Sequence, residues 1–131
     1  MKALRRIAAL AVALGAPLSA TADVYLICNS AVKLSADEAR DVFLGEKQLA
    51  GNVKLAPFEN AAVQAEFLGK VLQMDAGRYS TLWTKKGFRE GLNAPPVKGN
   101  DLEVVSSVKA NPGGVGYVSS PPAGVTVIRK Y

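Results

Sequence analysis

A chain of 131 residues, 49% of them hydrophobic, fits one domain and excludes two of ordinary size. It has no histidine and one cysteine, which excludes histidine triads, histidine metal clusters, internal disulfides and thiolate metal cages. Sixteen Lys and Arg stand against eleven Asp and Glu, a formal +5 that the N-terminus largely explains.

Lys2, Arg5 and Arg6 precede an uncharged run from Ile7 to Ala16, and Ala20-Thr21-Ala22 reads as an A-x-A cleavage site before Asp23. That order predicts a secretory signal peptide over residues 1–22. The apolar run is too short for a stable membrane anchor. Residues 23–131 would then form the mature domain. They keep thirteen of the sixteen positive charges and all eleven negative ones, a net +2. So small an excess speaks against nucleic acid as a partner. The expected compartment is the periplasm, with no membrane insertion after cleavage.

Val24 to Cys28 is a continuous apolar run, predicted as a strand buried on both faces, with Cys28 as a small core residue. Ser35 and Glu38 have capping-box spacing, Leu34 and Ala39 can form a hydrophobic staple, and Ala39, Val42 and Phe43 make an apolar stripe that stops at Gly45. Asp37-Glu38, in the first turn, complements the helix dipole. A second strand is expected over Val53-Lys54-Leu55-Ala56, ending at Pro57. A second helix is expected from Ala61 to Gln73, with Asn60 as N-cap and Val63, Phe67, Val71 and Met74 on one face. Asp75 should cap a third helix carrying Tyr79, Leu82 and Trp83, the last predicted to pack against Phe67 or Val71. Lys85, Lys86 and Arg89, near the glycines around Phe88, mark a basic loop, read as a solvated helix end with its cations on the negative end of the dipole. Beyond Pro95-Pro96, Asn100 and Glu103 repeat the capping-box spacing before a helix whose apolar face is Leu102, Val105 and Val108. Asn111-Pro112 stops it. Strands Val115–Val118 and Val125–Ile128 complete the chain. Alternating strands and helices predict an α/β domain: a three-layer mixed sheet with helices on both faces.

No catalytic constellation emerges; Ser106, Ser107, Ser119 and Ser120 have no histidine to activate them. The chain is expected to be non-enzymatic, with no cofactor and no metal.

Several patterns resemble a known family. Leu34-Ser35-Ala36-Asp37-Glu38 through Val42-Phe43-Leu44-Gly45, the stretch from Phe67-Leu68 to Leu72 followed by Tyr79 and Trp83, and above all Val108 through Asn111-Pro112-Gly113-Gly114-Val115-Gly116-Tyr117-Val118 are similar to the small periplasmic phosphate-binding-protein-like components of ABC transporters. The resemblance implies a type II periplasmic-binding-protein-like fold, here a single lobe, holding an oxyanion such as phosphate at helix N-termini and partnered by a membrane transporter. The corresponding candidates are Asn29 and Ser30 after the first strand, and Asn60 and Ala61 (through its backbone N–H) before the second helix. The family's hydroxyl- and arginine-bearing "GSGTR" segment is replaced by Asn60-Ala61-Ala62-Val63-Gln64, with Glu59 beside it. The function read from the sequence is therefore a solute-binding-like protein with a degraded anion site. The alternative is a protein-interaction or scaffold domain on the same fold that no longer binds phosphate.

Overall fold

The computed structural model describes residues 22–131, so the expected signal peptide lies, but for Ala22, outside the described residues. The elements are β1 (Tyr25–Cys28), α1 (Ala36–Phe43), β2 (Leu49–Ala50), β3 (Val53–Lys54), β4 (Ala56–Asn60) and α2 (Gln64–Phe67), which continues as a π-helical turn over Leu68–Leu72. There follow α3 (Ala76–Glu90), β5 (Val97–Lys98), α4 (Asp101–Ala110), β6 (Gly114–Val118) and β7 (Thr126–Lys130). No helix among the described residues is long and apolar enough to cross a membrane.

The architecture is mixed α/β. Five strands form one sheet in the order β5-β4-β6-β1-β7. Strands β4, β5 and β6 are parallel, and β1 runs antiparallel to both β6 and β7. The apolar run from Val24 does enter the sheet interior, with a neighbour on each side. Side chains alternate across the pleat. Leu26 and Cys28 of β1, with Val115 and Tyr117 of β6, join the core shared with α1, the α2 turn and α3. Ile27, Phe58 and Val118 face the other way and meet Val104 and Val108 of α4. Gly116 permits this second contact: a Cβ there would come within 2.6 Å of Val104.

The first helix forms as its sequence dictates. Ser35 Oγ accepts from the Glu38 N–H and the Glu38 carboxylate accepts from the Ser35 N–H, closing the capping box. Asp75 caps α3 by accepting from the Arg78 N–H.

Five expectations need correction. The strand expected at 53–56 is split. Val53–Lys54 pairs with Leu49–Ala50 in a hairpin, and Gly51 (φ +62°) takes the first central position, which a type II′ turn reserves for glycine. The sheet strand is Ala56–Asn60, and Pro57 is tolerated within it because Ala56, not Pro57, donates to the Gly113 carbonyl just before β6. The helix expected from Ala61 begins only at Gln64. Asn60 is the last residue of β4 rather than an N-cap, and Val63 precedes the helix without a side-chain cap. The following turn widens to a π-helix, and Leu68, Val71 and Leu72 all reach the core. The basic stretch at 85–89 is the end of a helix, as its cations suggest, and not a loop. Gly87 does not break α3, which runs to Gly91 (φ +68°), where Leu92 N–H reaches back to Lys86 O in a Schellman pattern. Lys86 there pairs with Glu46 and Glu90. On α4 the buried pair is Val104 and Val108; Leu102 is 77% exposed and Val105 half-buried. The last strand sits later, at Thr126–Lys130, and its register against β1 shifts between Leu26 and Ile27.

Trp83 lies in the same buried cluster as Phe67 and Val71, and its Nε1 donates to the carbonyl oxygen of Phe43 at the end of α1. Trp83→Ala removes a large core side chain and one bond between α3 and α1. It should cost about 3–5 kcal/mol in denaturant unfolding; a loss below about 1 kcal/mol would place the indole outside the core.

Candidate functional site

The four residues proposed for an anion do not converge. Because β1 runs against β4, their carboxyl ends lie at opposite edges of the sheet. Asn29 sits beside the last turn of α4: its Nδ2 donates to Val108 O (2.9 Å) and Lys109 O (3.3 Å), and its Oδ1 accepts from the Ala31 N–H. Its donors thus close the end of a helix instead of facing solvent. Ser30 is exposed on a shallow cleft with Lys33, Ser35 and Thr126. Asn60 lies at the other end of α4, about 15 Å away for ten helical residues. The Ala61 N–H, proposed as a backbone donor, is already bonded to Lys98 O (2.8 Å) in the β4–β5 pairing.

Around Asn60 several donors converge on a carboxylate of the chain itself. Asn60 is fully buried. Its Nδ2 donates to Asp101 Oδ1 (2.8 Å) and to Tyr117 O (3.1 Å), and its Oδ1 accepts from the Ala62 N–H (3.0 Å). Ser119 adds its backbone N–H, 3.1 Å from both Asp101 oxygens, and its hydroxyl, 2.8 Å from Oδ2. Asp101 opens α4, where the dipole also favours negative charge. The carboxylate that meets these donors belongs to the chain.

A second carboxylate occupies the opposite side of the same strand. Glu59 precedes Asn60 on β4, so the pleat sends it into the other layer, where it is 1% exposed. Tyr79 of α3 donates to Oε2 (2.5 Å) and Tyr117 of β6 donates to Oε1 (2.7 Å). Tyr117 is held by stacking on Phe67, with ring centroids 3.8 Å apart. Tyr79 Oη also lies 3.1 Å from Phe43 O, the acceptor it shares with Trp83 Nε1. Burial pushes the Glu59 carboxyl above the ordinary carboxylate value, against the pull of its hydroxyl donors. Burial and the neighbouring Glu59 charge push both tyrosine hydroxyls upward, so they stay protonated. In the sequence Glu59 stands out only as a charge beside Asn60; its alternation with Phe58 marks it as facing the opposite layer once the strand runs to Asn60.

Glu59, itself 1% exposed, lines with Gln64, Tyr79 and Trp83 a cleft of about 340 Å³ beside α3. Cys28 takes no part in it. It is buried, its thiol lies 3.7 Å from Val32 O, and burial pushes its pKa up, which keeps it an unreactive thiol.

Comparison of the chain with protein-family models, with curated proteins and with solved structures finds no match.

The raised Glu59 pKa sets a sign for the pH dependence of stability. Between the ordinary glutamate value and the raised one, the folded chain holds a proton that the unfolded chain has lost. The Glu59 contribution to stability therefore falls as pH rises through that window and is level above it. Glu59→Gln should remove this slope in denaturant unfolding measured from pH 4.5 to 8. Glu59→Ala should instead cost about 1–3 kcal/mol at every pH, because Tyr117 Oη loses its acceptor. A slope unchanged in Glu59→Gln would mean that Glu59 is not its source.

Proposed function

We propose that this chain is an exported, non-enzymatic binding domain, a single lobe of the solute-binding kind, that does not take up phosphate. The observation that carries this reading is the Asp101 carboxylate, which already receives Asn60 Nδ2, the Ser119 N–H and the Ser119 hydroxyl. An incoming oxyanion would have to displace a covalently attached competitor at very high effective concentration. Glu59, one residue before Asn60, adds repulsion. The likeness of Asn111 to Val118 to the phosphate-binding components supports the lobe assignment: this segment leads into β6, which stands between β4 and β1. The exported location rests on the N-terminal pattern of Lys2, Arg5 and Arg6, the apolar run and the A-x-A site. A second reading, a scaffold domain docking a transporter or another protein, draws on Phe88, which is 94% exposed on α3.

Calorimetry and thermal shift with inorganic phosphate test the proposal. The wild-type chain should bind phosphate at about millimolar Kd or more weakly. Asp101→Ala should lower stability by about 1–3 kcal/mol by orphaning the Asn60 and Ser119 donors. Phosphate or formate should then recover part of that loss in the variant, beyond any shift the same salt gives the wild type. Sub-micromolar phosphate binding by the wild type would overturn the reading, as would an Asp101→Ala variant that responds to neither anion.

A further inference from the structure

We propose that the outward face of α3 lies against the surface of a membrane rich in anionic phospholipid, with Phe88 entering the acyl boundary and Arg78, Lys85 and Arg89 meeting the headgroup charges. The inference goes beyond the binding-domain reading above and gives Phe88 a lipid rather than a protein partner.

Helix α3 buries Tyr79 and Trp83 and exposes most of its remaining residues. At about 100° per residue, Phe88 stands nearly opposite that buried stripe. It is 94% exposed, the most of any large hydrophobic residue among those described. Arg78, Lys85 and Arg89 are exposed too, and they fall within about 40° of one another beside it. The ion pairs among the described residues engage Lys47, Lys86 and Lys130, and none of these three cations. Gly77, Thr81 and Thr84, which share the exposed side with Phe88, are small and let a flat surface approach. The acids at the two ends of α3 are engaged: Asp75 accepts from the Arg78 N–H, and Glu90 pairs with Lys86.

Charge complementarity selects an anionic partner, and the kind of surface selects lipid. The face is the convex side of a helix whose backbone is bonded within itself, and the Thr84 hydroxyl already donates to Ser80 O (3.0 Å). It offers charge and one apolar anchor but few directional hydrogen bonds. A protein interface asks for about one hydrogen bond per 100–200 Å²; a fluid layer of headgroups asks for none in fixed directions. Basic side chains beside an exposed phenyl ring suit a helix that lies in the plane of the interface. Arg78, Lys85 and Arg89 can lay their alkyl stems toward the acyl boundary and keep their charges among the phosphates. The chain would lie on the membrane; no helix among the described residues is long and apolar enough to cross it.

The experiment sediments the full chain with vesicles of phosphatidylcholine containing about one third phosphatidylglycerol, against vesicles of phosphatidylcholine alone. The chain should bind the anionic vesicles and bind the neutral ones at least about 10-fold more weakly. Most of the anionic binding should disappear as salt rises from about 0.05 to 0.5 M. Each cation near an anionic surface strengthens binding about fivefold, so Lys85→Gln with Arg89→Gln should weaken it about 25-fold. Phe88→Ser should weaken it about 10–100-fold. Phe88→Trp reports from the site itself: beyond the signal of buried Trp83, its emission should move to the blue on anionic vesicles and be quenched by brominated acyl chains. Binding carried by residues 1–21 would produce neither change. No binding to anionic vesicles, equal binding to neutral ones, affinity unaltered in both sets of variants, or an unshifted Phe88→Trp emission would overturn the proposal, and the first of these would leave Phe88 to a protein partner. Those results leave the Asp101 reading intact, whereas tight phosphate binding by the wild type would sink that reading and say nothing against this face.

Discussion

A buried carboxylate held by two tyrosine hydroxyls is the contact on which the arrangement of this domain turns. Glu59 belongs to β4, Tyr117 to β6 and Tyr79 to α3, so one side chain joins two strands and the helical layer over them. An isolated charge in that position would be prohibitive; two short bonds from neutral donors make it tolerable. The demand runs outward. Tyr117 must lie under Phe67, whose ring stacks on it, and Phe43 packs edge-on against both. Tyr79 and Trp83, one turn apart on α3, both reach the Phe43 carbonyl, tying α3 to the end of α1. Among the described residues no buried side-chain nitrogen or oxygen lacks a partner.

The other side of β4 repeats the theme with different chemistry. Asn60, the next residue, faces α4 and holds Asp101 beside the end of β6. A two-residue segment therefore governs two carboxylates, one in each layer. The donors that a phosphate site would need are present in kind: an amide, a hydroxyl, a backbone N–H and a helix start. They are committed to an internal acid. Asp101 is the carboxylate that meets all of them. The chain separates its two acidic centres by exposure as well: Asp101 is half-buried, while Glu59 is buried.

Local chemistry was legible in the sequence wherever a few neighbouring residues decide the outcome. Ser35 with Glu38, Asp75 before α3, and the Asn111-Pro112 stop after α4 act through bonds within a single turn, and the structure keeps all of them. The α/β class followed from the alternation of apolar runs. What failed was strand direction. Apolar runs alone do not distinguish a parallel from an antiparallel neighbour, so Asn29 and Asn60 looked like two sides of one edge. Antiparallel β1 places them at opposite ends of α4. Boundaries moved for a related reason. Pro57 suggested the end of a strand, but its missing N–H points away from β6, and the strand continues to Asn60. The rotation of α4 is fixed by Asp101 reaching Asn60 and Ser119, long-range contacts that no local pattern announces, and this turns Val104 inward and Leu102 outward.

The account stands or falls on Glu59 being a desolvated carboxyl held by hydroxyls rather than an ordinary surface acid. Carbon-13 NMR of the glutamate side-chain carboxyls, followed through a pH titration of the folded chain, measures this residue by residue. Glu59 should titrate with a midpoint clearly above the ordinary glutamate value, and its shift should be felt at the ring carbons of Tyr79 and Tyr117. Glu38, whose carboxylate accepts the Ser35 N–H, should titrate below the ordinary value and provides an internal reference of opposite sign. A Glu59 midpoint at or below the ordinary glutamate value, with no response from either tyrosine, would contradict the arrangement from which the rest is argued.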